Sequence, residues 1–296
     1  MTYPAELLEL PCSGVRLLSV FSTLQDYFTY DFVRNALIAG VLISLCAGLL
    51  GVVLVLKRYS MIGDGLSHVA FGAMAIAAVL GWTPMAVALP VTVGGAILLL
   101  LASDRGHIKG DAAIAMLSAG ALSVGYLLLN LFPSANTGKF SEETLFGSTS
   151  LLTLSTADVW LCLSLAVFVA VFFVFFYHRI FAVTFDERFA QAGGVRVSVY
   201  RTLIAAVSGI VIVLAMKLVG ALLISALIIF PALSAMRLFQ SFRAVTVCSA
   251  MLSVAGSVTG FLLSVLLSTP IGATVVVIHV ILFGIFSLVG MVRSHT

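Results

Sequence analysis

Long runs of apolar residues fill most of the chain, and the charged residues are concentrated in the short stretches between them. A helix needs about 20 apolar residues to cross a bilayer, and several runs exceed this length. They lack the strict polar–apolar alternation of an outer-membrane β-strand. The pattern therefore predicts an all-α polytopic membrane protein with eight to nine transmembrane helices. The candidate spans are 32–56, 61–81, 84–103, 111–132, 158–177, 201–216, 218–236, 244–267 and 273–291.

The division of the chain into domains follows from these spans. Residues 1–31 are predicted to be an N-terminal extracytoplasmic segment, and 32–293 one transmembrane domain, because no long linker interrupts the pattern. The stretch 201–236 is ambiguous, since its first span is short and Lys217 lies at the junction. Eight spans with one broken or re-entrant segment is the alternative, because irregular backbone is tolerated where protein buries it.

Composition narrows the class of protein. Of the 296 residues, 61% are hydrophobic and 9% are charged, whereas soluble domains carry about 25% charged residues. No extended basic block is present, so no nucleic-acid partner is expected. The N-terminal residues lack the pattern of a secretory signal. The four cysteines form no C-x-x-C pair and are predicted to fill space inside helices.

Positive charge is distributed unevenly between the two sides of the predicted bundle. With the N-terminus outside, eleven of the 15 Lys and Arg residues fall on the inner side and four on the outer side. Cytoplasmic loops carry the excess of Lys and Arg, so we expect the N-terminus outside and the C-terminus inside. The inner residues are Lys57, Arg58, Arg105, Lys109, Arg179, Arg188, Arg196, Arg201, Arg237, Arg243 and Arg293, and the outer ones are Arg16, Arg34, Lys139 and Lys217.

Well within the predicted spans, away from their ends, lie one acid and two histidines: Asp64, His68 and His279. Ionisable groups are costly inside a membrane and usually face a cavity or the bundle interior. Asp64 and His68 are four residues apart, so a helix places them on one face, where a carboxylate and an imidazole can bind a divalent transition metal. Two alternatives remain open, an Asp–His hydrogen bond that fastens helices together and a proton relay. His279, alone in the last span, is either a packing residue or a functional one.

The patterns of several enzyme classes are absent. The chain has no G-x-x-x-x-G-K-[ST] phosphate-binding loop, so it does not bind ATP in that way. It also lacks H-E-x-x-H, and Ser67, next to His68, lacks a glycine-flanked nucleophile turn. We therefore expect a protein that is not an enzyme, with an intramembrane hydrolase as the disfavoured alternative.

Two connections between the predicted spans are longer than tight turns. The outer one, about 133–158, carries Glu142 and Glu143. The inner one, 177–201, mixes charged residues with phenylalanine and contains a Gly-Gly pair at 193–194. This pattern is typical of a short amphipathic helix ended by a glycine C-cap. An ordinary solvated loop is the alternative.

The segment RYSMIGDGLSHVAFG resembles the signature of permease subunits in bacterial ABC importers for zinc, manganese or iron, the ABC-3 family. The resemblance spans about residues 57–280 and involves several blocks in the family's order, which makes it specific. These further blocks are EETLFGSTSLLTLSTAD, TFDERFAQAGGV, AMKLVGALLISALIIFPALSAMR and STPIGATVVV.

The resemblance implies an ABC importer permease architecture, a homodimer in the lipid of the bacterial inner membrane. ATP hydrolysis is expected on separate cytoplasmic ABC ATPase subunits, and the cargo would arrive on an extracytoplasmic metal-binding protein. That cargo would be a divalent metal, with zinc favoured over manganese or iron, and no tightly bound cofactor is expected. Asp64 and His68 match the family motif G-D-x-x-[SA]-H and would line the metal path. His279 and Pro231, the latter expected to break its helix, would support it.

The same resemblance assigns two contact regions. The inner connection corresponds to the family's coupling element, which transmits the movement of the ATPases to the spans. Its residues are Phe185, Asp186, Glu187, Phe189, Ala190, Gly193 and Gly194. Glu142 and Glu143 are assigned to docking of the metal-binding protein.

The alternative function is that of a stand-alone proton-coupled secondary metal transporter. Such a protein would work without any partner chain and would depend on a proton gradient. The missing phosphate-binding loop is compatible with both functions, because the importer places ATP hydrolysis on another chain.

The charge asymmetry generates a test of orientation. After the native cysteines are replaced, a cysteine at Thr137 should react with an impermeant thiol reagent added outside the cell, and a cysteine at Ser198 should not. Labelling of intact cells is the measurement. The reverse pattern would show that the bundle is inverted.

Overall fold

The computed structural model describes residues 27–104, 110–132 and 155–294. Within these ranges it contains ten α-helices and no β-strand. In chain order the helices are α1 (Asp31–Leu56), α2 (Ile62–Leu80), α3 (Pro84–Asp104), α4 (Gly110–Leu131), α5 (Thr156–Phe185), α6 (Glu187–Ala192), α7 (Val197–Val219), α8 (Ala221–Leu238), α9 (Phe242–Leu267) and α10 (Ile271–Ser294).

The all-α membrane architecture predicted from the sequence is confirmed. Seven helices are long and apolar enough to cross a membrane, and α3 and α8 contain the shorter apolar stretches Pro84–Leu99 and Leu223–Leu238. Together these helices correspond to the predicted eight to nine spans. The division into a segment 1–31 and a transmembrane domain stays a prediction, since residues before 27 lie outside the described ranges.

The ambiguous stretch 201–236 contains two helices that meet at a glycine. α7 ends at Val219 and α8 begins at Ala221, and Gly220 between them has φ 94° and ψ 156°. This backbone conformation is essentially restricted to glycine, which has no Cβ to clash. The junction is therefore at Gly220, and the prediction that placed it at Lys217 is wrong.

Pro231 does not break α8, contrary to the expectation from the resemblance. The helix continues through it from Ala221 to Leu238. Proline removes one backbone hydrogen bond, but membrane helices tolerate it because neighbouring helices and Ser or Thr side chains satisfy the freed backbone groups. The Ser234 hydroxyl, three residues after the proline, donates to the carbonyl oxygen of Phe230 at 2.7 Å, so its polar group is satisfied within the same helix. α8 therefore crosses the bundle as one continuous helix.

α1 lies in the middle of the bundle, packed against α5, α8 and α9. Lipid tails are as apolar as the side chains, so membrane helices associate through close packing and interhelical hydrogen bonds. The Ser249 hydroxyl of α9 donates to the carbonyl oxygen of Gly48 at 2.8 Å. The Ser253 hydroxyl, one turn later, donates to the carbonyl oxygen of Ser44 at 2.7 Å. These buried bonds fix α9 along α1.

Three glycines let α2 approach its neighbours closely. A Cβ placed on Gly63 would lie 3.1 Å from the Ile228 side chain of α8. A Cβ on Gly72 would lie 2.7 Å from the carbonyl oxygen of Ala121 in α4, and Gly65 also faces α4. Small residues at such positions are what allows membrane helices to pack backbone to backbone. α2 is thus held between α4 and α8.

The outward faces of α5 and α10 are apolar. Large side chains on these faces are exposed, and contiguous apolar surface of this kind marks a region that contacts another apolar phase. We therefore expect these two helices to contact membrane lipid. The exposed residues include Trp160, Phe168, Val174 and Phe175 on α5, and Val277, Ile281, Leu288 and Val292 on α10.

The α2–α4 contact predicts opposite effects for two glycine substitutions. Gly72→Ala places a methyl group against the backbone of α4, so it should destabilise the protein by about 1–3 kcal/mol, as overpacking does. Gly120→Ala adds a methyl group to α4 where no atom lies within 4 Å, and should be neutral or stabilising by up to about 1 kcal/mol through helix propensity. Thermal unfolding of the detergent-purified protein measures both. Equal stability of the two variants would contradict the close approach.

Candidate functional site

Asp64 and His68 lie in the first two turns of α2. The helix begins at Ile62, so Asp64 is in its first turn, where the unpaired N–H groups and the helix dipole stabilise a negative charge. His68 follows one turn later on the same face. The Ser67 hydroxyl donates to the backbone carbonyl oxygen of Asp64 at 2.7 Å. The predicted sharing of one helical face is therefore confirmed.

The two side chains are close together but are not hydrogen-bonded. His68 Nε2 lies 3.6 Å from Asp64 Oδ2, which is beyond hydrogen-bond distance. The Asp64 side chain is 35% exposed and that of His68 is 18% exposed. His68 Nδ1 is buried and has no hydrogen-bond partner among the described residues. Because buried polar atoms are nearly always paired, the His68 ring lacks, within the described part of the chain, a partner that a buried imidazole normally has, while its other nitrogen, Nε2, is the one near the carboxylate.

The pair faces the gap between the two helices that hold α2. Successive residues of an α-helix are rotated by about 100° around its axis. Gly63 faces α8 and Gly65 faces α4, so Asp64 points between these helices, and His68 lies on the same side. The Asp64–His68 pair does not fasten two helices together, because both side chains belong to α2. The partly exposed carboxylate leaves space for a cation or a second protein surface.

Phe71 closes the same face one turn beyond His68. It is fully buried, and its ring centroid lies 5.2 Å from that of Tyr126 in α4. A Cβ placed on Gly125 would lie 2.9 Å from the Phe71 ring, so the ring packs directly against α4. The hydrophobic pattern alone did not single out Phe71. Its i+7 spacing from Asp64 is the signal that could have identified it.

His279 lies in another part of the bundle. Its Nδ1 is 2.8 Å from the carbonyl oxygen of Val275, one turn earlier in α10. The buried ring packs over Gly256 of α9, where a Cβ would lie 2.6 Å from it. These contacts are those of a packing residue. A supporting role of His279 or Pro231 in the metal path stays a prediction.

α6 is the short helix predicted in the inner connection. Asp186 caps its N-terminus by accepting a hydrogen bond from the Phe189 N–H at 2.9 Å. Gly193 follows the last helical residue, and Gly194 has φ 80°, in the left-handed region. The residue after Gly194 donates its N–H to the carbonyl oxygen of Ala190 at 3.0 Å, which is the pattern of a Schellman ending. The predicted glycine-ended helix is confirmed.

The two faces of α6 differ in exposure. Ala190 is buried in a small cluster with residues of α5 and α7. Phe189 is 74% exposed, and Phe185, at the end of α5, is also exposed. Exposed aromatic groups often mark interaction sites. Glu187 instead turns towards the bundle, where its carboxylate lies 2.5 Å from Lys57 Nζ.

One chain offers two metal ligands at the α2 face. Within the described ranges, no three His, Cys, Asp or Glu side chains are grouped so that they could hold a metal ion. Glu142 and Glu143 lie outside these ranges, so their role in docking stays a prediction. The chemistry that the described site supports is incomplete ligation of a cation by one carboxylate and one imidazole.

The fold and the site together are those of a multi-pass membrane transport subunit. A family model described as the ABC 3 transport family matches residues 29–290. The chain belongs to this family. The match includes every helix from α1 to α9 and most of α10.

Relatives and a solved structure agree with this membership. The chain is 28% identical to "Manganese transport system membrane protein MntC" of Halalkalibacterium halodurans over 88% of either chain. It is 31% identical to "Probable metal transport system membrane protein" of Treponema pallidum, over 90% of this chain and 99% of the relative. The structure described as "PsaBC from Streptococcus pneumoniae in complex with Fab" matches with a TM-score of 0.78 at 26% identity, covering 91% of this chain and 95% of that one.

Proposed function

We propose that the chain is the permease subunit of an ATP-driven importer that moves a divalent transition metal across the bacterial cytoplasmic membrane. The observation that carries the proposal is the Asp64–His68 pair, which faces the gap between α4 and α8 with a partly exposed carboxylate 3.6 Å from the His68 Nε2. An imidazole and a carboxylate together suit zinc, manganese and ferrous iron. Membership of the ABC 3 transport family and the metal-transport names of relatives support the same class.

A second copy of the chain completes the metal path in this proposal. Zinc takes about four ligands and manganese about six, whereas one chain supplies two at this site. If the α2 faces of two chains meet, two carboxylates and two imidazoles surround the passing ion. Water molecules fill any remaining positions, which keeps binding weak enough for release. Phe71 closes the path on one side of the ligands.

Two further partners follow from the site and the family. Separate ATPase subunits bind at α6, where Phe189 and Phe185 supply exposed aromatic surface. A metal-binding protein delivers the ion at the opposite side of the membrane. The charge asymmetry supports the orientation with the N-terminus outside, which places α6 in the cytoplasm, where ATP is available.

Manganese is the first cation to test. One of the relatives named above is described as a manganese transport protein, whereas the preference for zinc from the sequence stays a prediction. Ligand chemistry does not decide which metal is carried. A site of this kind binds zinc more tightly than manganese or iron even when it carries one of those ions in the cell. Uptake measured side by side for manganese, zinc and iron distinguishes them.

The stand-alone proton-coupled transporter is the second candidate. It shares the Asp64–His68 pair, since a carboxylate and an imidazole can also relay protons. It gives no role to the exposed aromatic surface of α6, and family membership favours the importer. ATP-dependent uptake without a proton gradient separates the two.

The Asp64→Asn substitution tests the proposed path. It keeps the size of the side chain but removes the charge that attracts the cation, so metal uptake should fall by about tenfold or more. The measurement is ATP-dependent uptake by vesicles that contain the permease with its ATPase and binding protein. Co-purification of the ATPase shows whether the variant still assembles.

Asp31→Asn is the matched control for this substitution. Asp31 is also an aspartate in the first turn of a helix, but it lies on the exposed side of α1 and pairs with Arg34. This variant should transport like the unmodified protein. Normal uptake by the assembled Asp64→Asn variant would show that the acid only contributes to packing.

A further inference from the structure

Glu187 joins three separate segments of the chain through an ion cluster. One carboxylate oxygen, Oε1, lies 2.5 Å from Lys57 Nζ at the end of α1. The other, Oε2, lies 3.6 Å from Arg201 Nη1 near the start of α7. A single side chain of α6 therefore contacts both helices at once.

Burial makes this cluster different from an ordinary surface ion pair. The side chains of Lys57 and Arg201 are only 7% and 12% exposed, whereas Glu187 is 40% exposed. Exposed ion pairs contribute little to stability, but removing one partner of a buried pair leaves an uncompensated charge out of water. Loss of the Glu187 carboxylate would therefore leave two buried cations without their counter-charge, while the exposed surface of α6 would change little.

The Lys57 contact lies directly before the helix of the candidate site. Lys57 caps α1, and the next residue, Arg58, has φ 61°. This left-handed conformation is unfavourable for a residue other than glycine. The N–H of Tyr59 donates to the carbonyl oxygen of Leu54 at 2.9 Å and fixes the turn. α2 then begins at Ile62, so the turn sets the position of the helix that carries the site.

The Arg201 contact reaches the same helix by a second route. Arg201 lies in the second turn of α7, and α7 packs against α3 and α2. The glycine at 220 ends α7 and lets α8, the other neighbour of α2, change direction. A displacement of α6 is therefore applied to α2 from its N-terminal connector and from its flank.

We propose that Glu187 is a positioning residue of the transport cycle, whose carboxylate transmits movement of α6 to the α1–α2 turn and to α7. This inference rests on the proposed function, since it requires an ATPase that moves α6. It separates two roles within one short helix. The exposed aromatic groups bind the ATPase, whereas Glu187 acts inside the permease and makes ATP hydrolysis productive.

Glu187→Gln tests this separation in the complete transporter reconstituted in vesicles. The substitution keeps the shape of the side chain but removes the charge that both cations share. The ATPase should remain bound and should still hydrolyse ATP, while the metal taken up per ATP hydrolysed should fall by about tenfold. Uptake per ATP in assembled complexes is the decisive ratio, because a purely structural residue would lower thermal stability without changing it.

Two control variants distinguish the outcomes. Asp31→Asn breaks an exposed ion pair and should leave the ratio unchanged, whereas Phe189→Ala should weaken ATPase binding. An unchanged ratio in Glu187→Gln, or loss of ATPase binding as in Phe189→Ala, would overturn the inference. If the Glu187→Gln permease itself does not fold in the membrane, Lys57→Met breaks the shorter contact from the other side, and an unchanged ratio in that variant would also overturn the inference. The proposed function fails separately, if the unmodified complex shows no ATP-dependent uptake.

Discussion

Close contact between helix backbones is the constraint on which the rest of this structure depends. In a bilayer, apolar side chains gain little by leaving lipid for protein, so helices are held by small residues and by hydrogen bonds between them. α2 meets α8 at Gly63 and α4 at Gly65 and Gly72. These contacts fix the rotation of α2 about its own axis. They thereby decide that Asp64 and His68 face the gap between the two neighbours.

The function proposed for the chain follows from that rotation. An acid inside a membrane needs a compensating partner, and here the nearby His68 is too distant for a hydrogen bond. A divalent cation or a second copy of the same face supplies the compensation. In α6, the exposed aromatic groups and the carboxylate of Glu187, which reaches the buried Lys57, occupy two sides of one short helix. Binding of the ATPase can therefore be assigned to the exposed aromatic groups, and transmission of its movement to Glu187.

Much of this arrangement can be predicted from the sequence, because bilayer thickness and helical periodicity act locally. The spans, the shared face of Asp64 and His68, and the glycine end of α6 all follow from spacing alone. Contacts between residues that are distant in the sequence cannot be predicted from spacing. The inward turn of Glu187 depends on Lys57, which is distant in sequence, and the junction at Gly220 depends on a backbone conformation that composition does not reveal. Pro231 suggested a break, but α8 continues through it, as membrane helices containing proline can.

The central claim, that Asp64 and His68 ligate the transported metal, is tested most directly by spectroscopy of the bound ion. Pulsed EPR of Mn²⁺ added to the purified permease detects imidazole nitrogen through its magnetic coupling to the metal. The account predicts a nitrogen coupling in the unmodified protein that disappears in His68→Ala, and weaker Mn²⁺ binding in Asp64→Asn. A nitrogen coupling that persists unchanged in His68→Ala, or the absence of any coupling in the unmodified protein, would contradict it.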